Sequence, residues 1–572
     1  MTDLRSSRWL EGETEVAVNS RVALRSAGLG IHQGERRPVI GIANTASDLN
    51  PCNLPLNALA AEVRRGVLAA GGLPAVFPAM SLGEDLMKPT AMLYRNLLAM
   101  EIEEMIRSNP LDGIVLLANC DKTVPGMIMG AVSADIPTVV VTGGARPPAT
   151  FQGRRIGTGT DLWRVWDQRR AGHLSDSDWS EFEAALSCGV GACNTMGTAS
   201  TMAILCEVLG LALPGSATIA SGDPRAAEMA RRAGEAAVRL VDAPVRPSSL
   251  LTRDAFSNAA RVLSGIGGST NAVIHLMAIA GRTRTGVTLE DIKGWFKGVP
   301  VIADVEPTGS GLVQDLDAAG GVPAVLKALA HHLELSTGSV GGESLAEVVA
   351  RSHRSGSTVR DPREPLVPSD GLAVLYGSLA PSGAVVRLST ASSDLFEHTG
   401  TAVVFDSYQS MLDTIDDPAL EIEPGNVLVL RGCGPVGGPG MPEWGMIPIP
   451  GYLARRGVTD MVRVSDARMS GTSFGTVVLH VAPEAAIGGP LALVASGDRI
   501  RLSVSAGGID LLIGEEELAR RRSSWRAPAF PDRRGWPALY REHVTQAPLG
   551  CDFDFLTAGD GGGFVEPVVG RS

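Results

Sequence analysis

A thiol, a carboxylate and an amine stand on consecutive residues at Cys120, Asp121 and Lys122. The run just before them, residues 113–118 (GIVLLA), has the length and apolar composition of a buried strand. Groups able to bind metal or move protons are thus expected at a strand end, where open α/β sheets bind their ligands. Cys52 has an equivalent place, on the loop SDLNPCN that follows a predicted strand at 38–43. Cys193 lies in the Gly-rich turn CGVGACNTMGTASTM (188–202), which runs into a helix. Backbone N–H groups of such a turn point at whatever the thiol holds.

The residue types alone leave several readings open. Cys52, Cys120 and Cys193 lack the short spacings of a zinc site. Cys188 and Cys193 form C-x4-C, without the nearby third cysteine of a plant-type ferredoxin. A lone cysteine is most often a small buried hydrophobe. Glu84 and Asp121 read equally as loop acids or helix caps, Glu443 as the partner of an arginine, and Ser470 as a turn serine. His275 and His480 lie in apolar runs and receive no role. Gly432, Gly434 and Gly437 fit G-x-G-x-x-G, but Pro435, Pro439 and Pro442 forbid the helix a dinucleotide loop must open. A loop that passes close to something is the better reading. Gly471, Ser473 and Gly475 fit G-x-S-x-G, yet a β-type run (TVVLHV) follows where a nucleophile elbow needs a helix.

The elements that must position these residues fall into two groups. Strands at 38–43, 73–77, 113–118 and 138–142 alternate with helical patterns at 56–70 and 126–134. That alternation predicts right-handed crossovers and a mainly parallel sheet flanked by helices. Residues 352–370 are polar and rich in Pro and Ser, and read as a linker. Beyond them come short β-rich runs at 384–388, 402–406, 427–430, 461–464, 477–481 and 499–504. The expected architecture is an α/β N-terminal domain, 1–365, and a smaller β-barrel-like domain, 366–572, which contains Glu443 and Ser470.

Composition narrows the function. A chain of 572 residues exceeds one ordinary core. The net charge of -12 argues against a nucleic-acid partner. The most apolar long stretch, 475–495, is broken by His480, Pro483, Glu484 and Pro490, so no membrane span is expected. The first residues, MTDLRSSRWLEGE, lack the apolar segment of a signal peptide. A cytoplasmic protein is expected, its seven cysteines reduced and so buried, catalytic or metal-binding.

Six stretches in register resemble the dihydroxy-acid dehydratase / phosphogluconate dehydratase family over nearly the whole chain. They are NPCN (50–53), CDKTVPG (120–126), GACNTMGTASTM (191–202), GGSTNAVIHL (267–276), GPVGGPGMPEW (434–444) and DARMSGTSFGTVVLHVAPEAAIGGPLALV (466–494). Residues 81–106 and 540–556 resemble most closely the sugar-acid branch, the L-arabinonate and D-xylonate dehydratases.

The resemblance implies that Cys52, Cys120 and Cys193 hold a [2Fe-2S] cluster whose open iron acts as a Lewis acid. It implies Mg2+ bound by Glu84, Asp121, Glu443 and a carbamylated Lys122, whose carbamylation needs a neutral amine. Ser470, as an alkoxide stabilised by adjacent cations, is the implied base, and Thr472 the implied ligand of the substrate carboxylate. The implied activity is a hydro-lyase that turns 2,3-dihydroxy carboxylates into 2-keto-3-deoxy acids, with the enolate stabilised chiefly by Mg2+. Aldonates are the first choice of substrate, and 2,3-dihydroxyisovalerate is the rival. The partner is then a small molecule, and the assembly a homodimer or homotetramer. An iron–sulfur protein for electron transfer or redox sensing is the alternative from another class.

Overall fold

The computed structural model describes residues 3–558 and 565–571. Its first sheet joins β1 (Val39–Asn44), β2 (Leu73–Pro78), β3 (Gly113–Leu117) and β4 (Thr138–Val141) in the order β2-β1-β3-β4. Every pairing in it is parallel, as the alternating pattern predicts. β3 is buried at all its positions, which is why its sequence is a continuous apolar run. The helix Thr123–Ala134 starts directly beyond Cys120–Lys122 and is apolar all round. It packs against the helix Arg95–Ser108 at very close range, since a Cβ on Gly130 would lie 2.4 Å from the Ala99 carbonyl oxygen. That contact fixes the direction in which the chain leaves the strand.

A hairpin of β5 (Ala149–Phe151) and β6 (Arg154–Ile156) follows, and then the helix Thr160–Arg170. These elements stand beyond the carboxyl ends of the sheet.

The second sheet has eight strands: β7 (Leu372–Leu375), β8 (Gly383–Arg387), β9 (Glu397–Phe405), β10 (Val427–Leu430), β11 (Val462–Ser465), β12 (Val477–Ala482), β13 (Arg499–Ser503) and β14 (Gly508–Leu511). Their order is β14-β13-β9-β10-β11-β12-β8-β7. A bridge from Tyr376 to Gly508 brings the two edges together, so the sheet is nearly closed. The run β9-β10-β11-β12 is parallel and the remaining pairs are antiparallel. β10 explains why both of its faces are apolar. Val427 and Val429 enter the barrel interior, while Leu428 and Leu430 pack outward on Met411 and Leu453.

All six expected strand runs of this half are present, and β7 and β14 are added to them. The stretch 352–370 is not a free linker. Val359 pairs with Ala303, Val367 pairs with Val301, and Arg360 binds Asp304 at 2.5 Å. It is thus fastened to the first half of the chain, while Arg354 and Arg363 pair with Asp361 inside the stretch. Among the described residues, no helix is long and apolar enough to cross a membrane.

Candidate active site

Three cysteine loops meet beyond the sheet, and an asparagine beside each cysteine ties them together. Asn53 accepts hydrogen bonds from the Cys120 N–H at 2.8 Å and the Asn119 N–H at 3.3 Å. Asn119 donates to the Cys52 carbonyl at 2.7 Å and to the Gly144 carbonyl at 2.8 Å. Asn194 accepts from the Thr158 N–H at 2.8 Å. The Cys193 loop is joined on by Gly191 N–H to the Pro51 carbonyl, 3.1 Å, and Ala192 N–H to the Gly144 carbonyl, 3.0 Å. Buried carboxamides that serve several backbone groups at once fix loops firmly. The sequence held this signal as Cys52-Asn53, Asn119-Cys120 and Cys193-Asn194, and the reading by cysteine spacing missed it.

The three thiols feel one another. A hydrogen bond from the Cys120 thiol lowers the Cys52 pKa against the effect of burial. Giving that bond raises Cys120 well above the thiol range, with burial and the Cys52 charge adding to it. Burial, then the Cys52 charge, pushes Cys193 up to about 12. Burial and the neighbouring thiols thus oppose ionising all three together, and a positively charged guest would favour it. Arg146, which sequence reasoning also missed, places Nη2 3.8 Å from Cys52 Sγ. Cys188 turns away to the Pro147 carbonyl.

Beside the thiols lies an acidic trio. Ligand oxygens of Glu84, Asp121 and Glu443 fall within 4.8 Å of one another, the one such group of His, Cys, Asp or Glu among the described residues. Three thiols are ligands that suit an iron–sulfur cluster, and the trio of carboxylates suits a hard divalent cation. The two sites touch, since Cys120 Sγ is 3.5 Å from Asp121 Oδ1. Glu84 Oε2 is buried without a hydrogen bond, as a carboxylate oxygen meant for a cation would be.

Lys122 fills the middle of the trio. Its Nζ contacts Asp121, Glu443 Oε1 at 3.2 Å and Glu84 Oε2 at 3.4 Å. Burial and the Arg468 guanidinium oppose its charge, but the carboxylates of Asp121, Glu443 and Glu84 outweigh them and raise its pKa. The neutral amine expected of Lys122 is therefore disfavoured here, because the acids outweigh the desolvation that would have produced it. Burial likewise raises the Glu84 pKa, with Lys122 opposing. For Glu443, burial is outweighed by Lys122 and Arg468, which hold its pKa low.

Arg468 is fully buried and reaches Glu443 Oε1 at 2.9 Å, Thr90 Oγ1 at 3.0 Å and the Met441 carbonyl at 2.7 Å. It locks the 441–444 loop of the barrel half onto the acids of the α/β half. Asn271 completes the wall, donating to Glu443 Oε1 at 2.8 Å and to Thr198 Oγ1 at 3.1 Å.

Ser470 stands on the loop after β11. Its Oγ is 2.9 Å from Thr472 Oγ1. Gly471 passes so close to the start of the helix Thr198–Val208 that a Cβ would lie 2.5 Å from the Thr198 nitrogen. The serine loop thus touches Thr198, which Asn271 joins to Glu443.

The two glycine motifs have structural explanations. Val436 and Gly437 N–H groups donate to Glu484 at 2.9 and 2.8 Å, and Gly432 and Cys433 N–H groups donate to Asp466 at 3.1 and 2.9 Å. The loop passes close to the protein's own carboxylates, and no helix opens after it. Ser473 is buried and runs directly into β12. Burial pushes the His480 imidazole down to about 3 and lowers that of His275 well below its ordinary value.

Comparison with known proteins agrees with this arrangement. Residues 37–348 match the dihydroxy-acid/6-phosphogluconate dehydratase N-terminal domain, and residues 357–551 match the C-terminal domain of the same family. The L-arabinonate dehydratase of Rhizobium leguminosarum bv. trifolii (strain WSM2304) is 45% identical over 97% of this chain and 96% of its own. The 6-deoxy-6-sulfo-D-gluconate dehydratase of Pseudomonas putida is 44% identical, covering 98% and 97%. A dihydroxy-acid dehydratase of Nocardia farcinica (strain IFM 10152) is 39% identical, covering 93% and 96%. Two matched domains spanning most of the sequence, and relatives matched nearly end to end, place the chain in the dihydroxy-acid/6-phosphogluconate dehydratase family, as a hydro-lyase.

Proposed function

We propose that this hydro-lyase dehydrates aldonates such as L-arabinonate or D-xylonate to 2-keto-3-deoxy acids. The observation that carries this reading is the convergence of three thiols, three carboxylates and the Ser470 loop where the two halves of the chain meet. The names of the sugar-acid relatives favour polyhydroxylated substrates over branched ones.

Cys52, Cys120 and Cys193 would hold a [2Fe-2S] cluster, and Glu84, Asp121, carbamylated Lys122 and Glu443 would hold Mg2+. When bound, these groups supply a Lewis acid for the leaving hydroxyl and positive charge for the enolate. The chain's own residues do the rest. Ser470 Oγ takes the C2 proton, and the freed electron pair forms the C2–C3 double bond as the C3–O bond breaks. The hydroxide takes up a proton and leaves as water, with Ser470 Oγ–H, which holds the C2 proton, as the source this chain supplies, and the enol tautomerises to the 2-keto acid. Thr472 borders Ser470, and its one hydroxyl proton would go to the substrate carboxylate only when Ser470 Oγ does not take it. Residues 1–365 carry the ligands, and 366–572 bring Glu443 and Ser470 to them.

The test is an anaerobic 2-keto-acid assay with Mg2+ on L-arabinonate, D-xylonate, D-gluconate and 2,3-dihydroxyisovalerate. Faster turnover of an aldonate is expected. Preference for 2,3-dihydroxyisovalerate would overturn the substrate assignment, and no turnover of any of the four would overturn the reading as a whole.

A further inference from the structure

The implied base lies in the barrel half, but its neighbour Thr472 is gripped by the α/β half. Trp163, on the helix Thr160–Arg170, donates its indole N–H to Thr472 Oγ1 at 2.9 Å. Thr160 Oγ1 donates to the Thr472 carbonyl at 3.0 Å. Gly159, at φ +101, and Gly197 leave room for the threonine. A Cβ on either would lie 2.6 or 2.9 Å from the Thr472 methyl group. The helix itself is pinned, since Asp161 accepts the Gly157 N–H at 2.7 Å and Arg164 binds Glu306 at 2.9 Å.

These contacts restrict where the Thr472 hydroxyl proton points. An indole N–H only donates, so Trp163 occupies a lone pair of Thr472 Oγ1. The hydroxyl proton cannot face the indole. The acceptor beside it is Ser470 Oγ, 2.9 Å away. A serine that has lost its proton can only accept, and Thr472 is then its donor. The backbone N–H of Thr472 also reaches Ser470 Oγ, at 3.4 Å.

We infer that Trp163 is a positioning residue, which holds the Thr472 hydroxyl as hydrogen-bond donor to Ser470 Oγ and so favours the form of the serine that takes the C2 proton. This rests on the dehydratase reading above. No group beyond those named takes part: the C2–H bond breaks, an O–H bond forms on Ser470, and Trp163 and Thr472 keep their protons.

Trp163→Phe keeps the ring and removes the N–H. With the C2-deuterated form of the best aldonate, the variant is expected to lose roughly three- to tenfold in kcat. KM should stay within about twofold of wild type, and the primary isotope effect on kcat should rise because proton removal has become slower. In a Thr472→Val background the same substitution should change nothing, because its route of action is gone. A lowered kcat with an unchanged isotope effect, or an equal loss in the Thr472→Val background, would overturn the inference. A readout independent of turnover is the indole N–H resonance of Trp163 in protein labelled with 15N-tryptophan. It should move on Thr472→Val, and an unmoved resonance also overturns the inference. Failure of the wild type to dehydrate any acid sinks the functional reading alone and leaves the resonance to decide the contact.

Discussion

The thiol pocket and the acid pocket are neighbours, yet they solve the problem of buried charge in opposite ways. On the acid side the protein brings its own cations, Lys122 and Arg468, into contact with the carboxylates. On the thiol side Arg146 is the near cation; the hydrogen bond to Cys52 and burial raise the Cys120 pKa, and burial with the Cys52 charge raises that of Cys193. The acid pocket is therefore balanced largely by the protein's own charges, whereas the thiol pocket would depend on the cluster proposed for it. This contrast predicts different consequences for damage on the two sides.

The largest effects belong to the chemistry. Cys120→Ser should abolish both the visible absorption of the purified enzyme and its turnover, since a cluster held by three thiolates loses one of them. A coloured and fully active variant would falsify the thiol site. Ser470→Ala should keep the absorption but lose roughly 100- to 10,000-fold in kcat, the range set by removing a general base. Retention of wild-type kcat would mean that a group other than Ser470 removes the C2 proton.

The comparison itself is sharpened by stability in the metal-free state. Lys122→Met removes the ammonium and leaves carboxylates buried with only Arg468 to face them. Breaking a buried ion pair on one side costs about 3–5 kcal/mol. Urea unfolding of the metal-free variant should show a loss of that size. Cys193→Ala, by contrast, removes a protonated thiol that repels nothing, and should cost no more than about 1–2 kcal/mol. Equal losses for the two variants would mean that the acid side is not held together by Lys122.

Much of this arrangement was legible in the sequence. β1, β3, β4 and β10 were visible as short apolar runs, because burial on both faces removes polar residues. The motif loops were visible because thiols, acids and glycines there have no reason to cluster otherwise. What escaped reading depends on long-range contact. β7 and β14 span Leu372–Leu375 and Gly508–Leu511, too short to show a period, and they are strands because they lie at the two edges the barrel brings together. The stretch 352–370 is polar like a linker, but Val359, Arg360 and Val367 fasten it to the first half of the chain. The raised pKa of Lys122 needs Glu84 and Glu443, which are remote in sequence. Sequence supplied the burial argument and not the acids that outweigh it. Asn53, Asn119 and Asn194 were readable in principle, since each is adjacent to a cysteine.

The smallest expected effect concerns the thiol side's own cation. Arg146 approaches Cys52 Sγ and is held there by the Ala192 carbonyl at its backbone N–H and the Gly191 carbonyl at its Nε. A guanidinium beside a ligating thiolate stabilises the electron-rich, reduced state of a cluster more than the oxidised one. Arg146→Met should therefore lower the one-electron reduction potential, by about 60 mV, which is one tenfold step in the equilibrium. Occupancy of the site should hardly change, because the three thiolates remain. A redox titration followed by electron paramagnetic resonance measures both quantities. An unchanged potential would mean that solvent, rather than Arg146, balances the charge of the thiol pocket, and the contrast between the two pockets would then rest on Lys122 alone.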